Sequence, residues 1–289
     1  MTEEAAGRRP WTRWPVIVRA IIAGILVGLG AANVWPILLG KLGMPVAAAA
    51  EAIFLGAYLW WARGGGPPRA WKASRAEVSR AGVLSLAQSV WGLIAAVSFA
   101  ATVHAAIVVL FRVVPFPAAA FRAGYDLSFI PSPEMRWLAI LVSAASAGIC
   151  EETGFRGYLQ RPIERRHGAP VAILTSSLCF TLAHLSKDWS TAGMVPIVFG
   201  AGLMLGTLAW ASGSLIPGIV GHTIMDVGLF AYWWTQIAGT FSQRPISETG
   251  MDATFCLECI ALAVAVIITL TAIGRLRQVL AQDRRGELG

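Results

Sequence analysis

Six ionisable side chains stand within apolar stretches of the sequence, in three short patterns. The patterns are Glu-Glu-x-x-x-Arg at 151–156, Phe-x-x-x-His at 180–184 and His-x-x-x-Asp at 222–226. A charged residue at the centre of a membrane helix costs about 2.5–3.5 kcal/mol on insertion scales. Side chains kept in such places therefore indicate buried partners or a function.

The first pattern predicts two different environments for its adjacent carboxylates. Residues four apart share one face of an α-helix, whereas adjacent residues diverge by about 100°. Glu152 is therefore expected to pair with Arg156 in a structural ion pair that neutralises both groups. Glu151 must then point elsewhere.

The other two patterns supply imidazoles that Glu151 could meet. If Glu151 faces His184 and His222 from neighbouring helices, a carboxylate and two imidazoles converge with Asp226, which lies one helical turn beyond His222. Phe180, one turn before His184, could fix that ring by packing. The three patterns together thus predict one polar site within the helices.

Such a site could activate water in two ways. A desolvated Glu can accept a proton from water while imidazoles orient the nucleophile or stabilise an oxyanion, and peptide hydrolysis is one outcome. Alternatively, Glu151, His184 and His222 could hold a divalent metal such as zinc, whose bound water would be the nucleophile. The residues alone leave both routes open.

The elements that must position these side chains are membrane helices. Hydrophobic residues make up 56% of the 289 positions and charged residues 13%, against about 45–50% and 25% in soluble domains. Apolar runs long enough to cross about 30 Å of hydrocarbon recur along the chain. They predict an all-α, polytopic transmembrane helix bundle of about eight spans. The spans are Val16–Leu39, Pro45–Ala62, Leu84–Phe111, Trp137–Leu159, Pro170–Leu185, Pro196–Ser212, Leu215–Gln236 and Phe255–Ile273.

These spans suggest a simple organisation of the chain. We expect a cytoplasmic segment at 1–15, N-terminal helices and loops at 16–136, a catalytic core at 137–236, and a last helix with a cytoplasmic tail at 237–289. Most of the 23 Lys and Arg residues fall on one side of the bundle, which places both termini in the cytoplasm. The net charge of +7 comes without a basic-aromatic face, so the bilayer and not nucleic acid is the expected partner.

Three other features carry structural expectations. The stretch Ala70–Arg80 is expected to form a short helix on the inner face. The Pro-rich loop Arg112–Arg136 is expected to be irregular and to lie at the interface. His104 stands alone in the third span and is interpreted as a hydrogen-bonded core histidine.

The order of the three patterns resembles that of the CPBP family, and the likeness covers roughly Trp137 to Phe230. This family comprises type II CAAX prenyl endopeptidases and bacterial relatives linked to bacteriocin processing and self-immunity. The resemblance implies a protease of the bacterial inner membrane that acts on a membrane-associated protein or peptide. Asp226 departs from the Asn that often ends the third pattern in the prenyl-protein branch, so the substrate need not be prenylated.

The resemblance also assigns roles by position. It implies that Glu151 is the general base, that His184 helps to bind the attacking water, and that His222 with Asp226 stabilises the tetrahedral intermediate. Glu152 and Arg156 would support these residues, and Phe180 is expected to have a supporting role through its packing.

Two other functions use similar side chains. A proton-coupled transporter also places Glu, Asp and His within membrane helices, but the polar residues here fall in one stretch and not in two corresponding halves. A noncatalytic scaffold or immunity protein could retain the fold and the residues. Loss of function on changing Glu151 would argue against that reading.

Overall fold

A computed structural model shows a bundle of helices. It describes residues 14–80, 82–191 and 193–286, and these ranges contain helices and connecting segments without β-strands, as the all-α prediction requires. The α-helices are α1 Val16–Ala32, α2 Val34–Lys41, α3 Met44–Ala62, α4 Lys72–Val78, α5 Leu86–Val113, α6 Ala118–Gly124, α7 Pro133–Glu151, α8 Gln160–His167, α9 Ala169–His184, α10 Met194–Ser212, α11 Ile216–Gly228, α12 Ile246–Thr249 and α13 Ala253–Gly286. The expected segment at 1–15 lies outside the described residues up to position 13.

Two π-helical segments continue α-helices without a break. Glu152–Leu159 joins α7 to α8, and Leu229–Trp234 follows α11. Both segments lie beside sequence patterns that carry the candidate site. Short π-helical segments are rare and occur often at functional sites.

Six helical segments in the described part of the chain are long and apolar enough to cross a membrane. They are Val16–Lys41, Met44–Ala62, Leu86–Val113, Pro133–His167, Met194–Ser212 and Ala253–Asp283. The other two predicted spans correspond to α9, a shorter apolar helix of 16 residues, and to α11 with its π-helical continuation. These two segments are the ones that carry His184 and His222.

Two predicted spans differ in detail from the observed helices. The first is interrupted at Asn33, between α1 and α2, because Pro36 has no N–H to offer the carbonyl group of Ala32. The fourth runs on past Arg156 to His167 as one helical segment. Glu151 therefore lies near the middle of a long helix and not close to its end.

Two sets of side-chain contacts mark the two ends of the bundle. At one end, the guanidinium group of Arg80 contacts Glu164 at 2.5 Å and the carbonyl oxygen of Ala209 at 2.9 Å. At the other end, Phe111, Phe116 and Trp233 pack as an aromatic cluster with ring centroids 4.9–5.7 Å apart. We call these the Arg80 end and the aromatic end.

The structure agrees with one of the two predictions for the shorter segments and agrees only in part with the other. Helix α4 lies within the stretch 70–80, where a short helix was predicted. The Pro-rich loop 112–136 contains α6, so its expected irregularity holds only in part. Three consecutive alanines follow Pro117 there, and alanine has the highest helix propensity.

Candidate active site

The Glu-Glu-x-x-x-Arg pattern lies at the junction of α7 with the first π-helical segment. Side chains from other elements bind the carbonyl groups of this segment. Ser176 Oγ donates to the carbonyl oxygen of Phe155 at 3.0 Å, and Arg80 Nε donates to that of Arg156 at 3.3 Å. The unusual helical winding is thus supported by tertiary hydrogen bonds.

Helix α1 packs against this π-helical segment through glycines. A Cβ atom added to Gly154 would lie 2.4 Å from the Cα atom of Gly28, and one added to Gly24 would lie 2.5 Å from the Cβ atom of Leu159. Small residues of this kind let membrane helices approach closely. The N-terminal helix therefore closes one side of the site.

Glu152 is the centre of a buried polar network. Its Oε1 atom accepts hydrogen bonds from Arg156 Nη1 at 2.8 Å and from His222 Nδ1 at 2.9 Å. Glu152 and Arg156 are fully buried and His222 is 2% exposed. The ion pair expected from the i, i+4 spacing is present, and it also holds an imidazole from α11.

Asp226 lies on the other side of the His222 ring. Its Oδ2 atom is 3.6 Å from His222 Nε2, which is beyond hydrogen-bond distance. Because Nδ1–H is donated to Glu152, Nε2 is the ring nitrogen left for another partner. The one-turn spacing therefore places Asp226 beside the free edge of the ring.

Glu151 and His184 form the second part of the site. His184 Nε2 lies 4.0 Å from Glu151 Oε2, and the two side chains are 16% and 13% exposed. His184 Nδ1–H donates to the carbonyl oxygen of Phe180 at 2.7 Å, so a neutral ring presents its Nε2 lone pair towards Glu151. Glu151 Oε2 has no hydrogen-bond partner in the described part of the chain.

Phe180 connects the two parts. Its ring centroid lies 4.5 Å from that of His184 and 5.9 Å from that of His222. The Arg156 guanidinium carbon is 4.5 Å from the centre of the same ring. Phe180 thus packs against both imidazoles, which is more than the contact with His184 that its spacing suggested.

The arrangement differs from the simplest expectation in one respect. Glu151 was expected to face both imidazoles, yet within the described residues its ion-pair contact is with His184. The carboxylate bonded to His222 is that of Glu152. Adjacent residues diverge around a helix axis, and each therefore meets a histidine from a different helix.

Glu51 is a buried carboxylate that the sequence analysis missed. It lies in α3, is fully buried, and accepts a hydrogen bond at 2.7 Å from Ser146 Oγ on α7. Its other oxygen atom has no hydrogen-bond partner among the described residues. The cost of a charge within the span Pro45–Ala62 was the signal that could have identified it.

His104 has the structural role expected of it. Its Nδ1 atom accepts a hydrogen bond from Trp233 Nε1 at 3.3 Å, and its Nε2 atom lies 3.2 Å from the carbonyl oxygen of Met225. Both ring nitrogens are therefore satisfied within the bundle. This histidine links α5 to α11 and the second π-helical segment.

The candidate metal ligands do not form a complete set. His222 donates Nδ1–H to Glu152, and its Nε2 lies 3.6 Å from Asp226 Oδ2, so among the described residues the ring has no hydrogen bond or ion pair with Glu151 or His184. Across residues 14–80, 82–191 and 193–286, no group of three or more His, Cys, Asp or Glu side chains is arranged to hold a metal ion. The side chains as placed therefore do not fit a divalent ion.

The fold and the site define a class of protein. A bundle of apolar helices that encloses carboxylates, imidazoles and an arginine is an integral membrane protein with a polar internal site. Residues 133–228 match the model of a family described as type II CAAX prenyl endopeptidase Rce1-like. This match confirms the resemblance to the CPBP family and, at the level of the family, indicates an intramembrane protease of the CAAX type.

The matched segment runs from the first residue of α7 to the last residue of α11. It therefore contains all the candidate site residues that the sequence predicts, whereas α1 and α3, which pack against them, lie outside it. No curated protein and no solved structure matches the chain.

Proposed function

We propose that this protein is an intramembrane endopeptidase that hydrolyses a peptide bond near the end of a membrane-associated protein. One observation carries the proposal: Glu151 Oε2 and His184 Nε2 face each other at 4.0 Å within the helix bundle. That separation leaves room for one water molecule to hydrogen-bond to both atoms. A carboxylate and an imidazole that share a water form a suitable base and orienting group.

The first chemical step follows from the tautomer of His184. Its Nδ1–H is held by the carbonyl oxygen of Phe180, so Nε2 accepts a hydrogen bond from the water and orients it. Glu151 removes a proton from that water as the water oxygen bonds to the substrate carbonyl carbon. The carbonyl electron pair moves onto oxygen and forms the tetrahedral oxyanion.

The part of the site formed by Glu152, His222 and Asp226 faces this oxyanion in our proposal. Glu152 fixes the His222 ring through Nδ1. When the ring is protonated, its Nε2–H can therefore donate to the oxyanion. Because Nε2 lies 3.6 Å from Asp226 Oδ2, no hydrogen bond to Asp226 has to break before Nε2 binds the oxyanion. The Asp226 carboxylate complements the positive charge of the protonated ring. Glu151 then gives its proton to the leaving nitrogen as the C–N bond breaks.

Arg156 and Phe180 act through these groups and need not touch the substrate. The guanidinium group of Arg156 balances the buried charge of Glu152, and Phe180 packs against both imidazoles. We therefore regard both as positioning residues. Their removal should alter the orientation of His184 and His222 without removing a group that contacts the water or the substrate.

The substrate and membrane orientation belong to the same proposal. The distribution of Lys and Arg supports the placement of both termini in the cytoplasm. The resemblance to bacterial members of the CPBP family supports a place in the bacterial inner membrane. The substrate is a membrane-associated protein or peptide with a cleavable segment near one end, whether prenylated or carrying a sorting signal. An enclosed site within the bundle favours such a segment over a folded soluble domain.

The experiment compares the wild type with Glu151→Gln in the same membranes. Vesicles from cells that express each variant are incubated, and new peptide termini on membrane proteins are identified by mass spectrometry. We expect a defined set of termini with the wild type and at least about a hundredfold lower rate with Glu151→Gln. The matched control is Glu134→Gln, which changes an exposed carboxylate on the same helix.

The outcome also tests the metal-free route. Cleavage by the wild type should persist in the presence of a chelator, because the described side chains do not form a set of metal ligands. Equal cleavage by the wild type and Glu151→Gln, with both variants folded, would contradict the assignment of the base. Loss of cleavage with the chelator alone would instead contradict the metal-free mechanism.

A further inference from the structure

A basic groove lies where the membrane span Met44–Ala62 ends, at the Arg80 end of the bundle. It has a volume of about 1190 Å³, and its walls include the cationic side chains of Arg63, Arg69 and Lys72 but no carboxylate. Within the described part of the chain, none of these three cations forms an ion pair or a side-chain hydrogen bond. Three uncompensated positive charges thus face one space.

The groove is built on a rigid loop that Arg75 organises from within. Arg75 is 2% exposed, and its guanidinium group donates to the carbonyl oxygens of Trp61, Gly65, Gly66 and Pro68 at 2.8–3.0 Å. One buried side chain therefore satisfies four backbone groups of the loop. Such a hydrogen-bonded loop holds the neighbouring cations in place at little further loss of conformational entropy on binding.

An exposed tryptophan forms one wall of the groove. Trp60 is 62% exposed, and its ring lies against the loop so closely that a Cβ atom added to Gly65 would come within 2.4 Å of it. Gly66 also has a φ of 61°, a backbone conformation that favours glycine. Tryptophans at the ends of membrane spans lie at the level of the lipid headgroups.

We propose that this groove binds the phosphate headgroup of an anionic phospholipid. The three cations supply the charge, Trp60 packs beside the upper part of the lipid chains, and the loop held by Arg75 fixes the geometry. Oxygen-rich phosphate is the anion that several Lys and Arg side chains bind together. Because the groove lies at the end of a membrane span, a lipid is favoured over a free anion as the source of the phosphate.

Helix α4 connects the basic groove to the candidate active site. Helix α4 leads directly from the loop to Arg80, whose Nε atom donates to the carbonyl oxygen of Arg156. A bound headgroup would therefore contact the same segment that supports the π-helical turn. The binding proposal itself does not depend on proteolysis, because it is tested by binding alone.

The test is native mass spectrometry of the detergent-purified full chain. The probes are dioctanoylphosphatidylglycerol, dioctanoylphosphatidylcholine and inorganic phosphate, each titrated separately. We expect saturable binding of the phosphatidylglycerol and at least about tenfold weaker binding by Arg69→Gln/Lys72→Gln. The double variant Arg166→Gln/Arg285→Gln removes the same charge from exposed positions outside the groove and should bind like the wild type.

A second variant separates the built site from simple charge. Arg75→Lys keeps the positive charge but cannot donate to four carbonyl groups in the same geometry, so it should also weaken binding of the phosphatidylglycerol. Equal losses in the groove and control double variants would reduce the effect to net charge and overturn the proposal. Equal binding of phosphatidylcholine, or binding of inorganic phosphate at the same concentrations, would overturn it too.

Discussion

Glu152 Oε1 lies 2.9 Å from His222 Nδ1, although 70 residues separate the two in sequence. The same oxygen atom accepts a hydrogen bond from Arg156 at 2.8 Å. One buried carboxylate thus joins the first and third sequence patterns, and it fixes which nitrogen of His222 remains free. This relationship gives Glu152 a structural role and leaves the Nε2 atom of His222 for chemistry.

Breaking the buried ion pair should be strongly destabilising. Arg156→Met leaves Glu152 without its cationic partner, and we expect the free energy of unfolding to fall by about 3–5 kcal/mol. Thermal unfolding in detergent, followed by circular dichroism, measures the change. Arg165→Met is the control, because its ion pair with Glu77 is exposed and should contribute little.

The double variant Glu152→Leu/Arg156→Met separates stability from activity. Replacing both charges by apolar groups should recover much of the lost stability. Cleavage should remain low, because His222 has lost the carboxylate that orients it. A double variant with wild-type cleavage would show that the hydrogen bond between Glu152 and His222 has no part in the reaction.

His222 of α11 and His104 of α5, which contacts α11, form a matched pair of histidines. His222→Gln removes the Nε2 atom that we assign to the oxyanion, and we expect the rate of cleavage to fall by about 10²–10³. His104→Gln changes a residue that bonds only Trp233 and Met225 among the described residues, and cleavage should largely persist. Rate measurements at saturating substrate distinguish these outcomes, and equal losses in both would argue for a general packing effect.

Close packing between α1 and the π-helical segment makes Gly154 sensitive to substitution. The Cβ atom of Gly154→Ala would come within 2.4 Å of the Gly28 backbone, which cannot move like a flexible side chain. We expect a loss of about 1–3 kcal/mol in the free energy of unfolding. Gly30→Ala, with no atom within 4 Å of the added group, should cost nothing or be slightly stabilising through helix propensity.

Asp252 predicts a pH dependence at the aromatic end. The backbone N–H of Phe255 donates to its carboxylate, and Arg112 lies 2.8 Å away, so the pKa of Asp252 is held below its ordinary value of 3.8. The stabilisation is therefore fully present above pH 3.8 and is lost as the pH falls through the lower pKa of the folded state. Asp252→Asn should have a lower Tm than the wild type at pH 7, and the difference should disappear on strong acidification.

A constant difference in Tm between these two proteins across that pH range would contradict the assignment. Asp283→Asn is a useful comparison, because its carboxylate accepts hydrogen bonds from Ser85 and Gln88 but contacts no described cation. The comparison shows how much of the acid effect depends on the Arg112 ion pair.

The sequence by itself determined the class of the protein and the pairing that is local along the chain. Hydrophobic length is a property of each segment alone, so all eight predicted apolar runs correspond to helical segments, including those of α9 and α11. The pairing of Glu152 with Arg156 was equally local, because the i, i+4 spacing brings them to one face of a helix. The three patterns in order also pointed to the family that the segment 133–228 matches.

The tertiary structure decided which side chains from different helices meet. Hydrophobic patterning does not fix the rotation of one membrane helix against another, and so it could not show that Glu152 binds His222 while Glu151 faces His184. It also could not reveal the π-helical winding, which depends on hydrogen bonds from Ser176 and Arg80. These contacts depend on helix packing, because the groups that stabilise the site lie far apart along the chain.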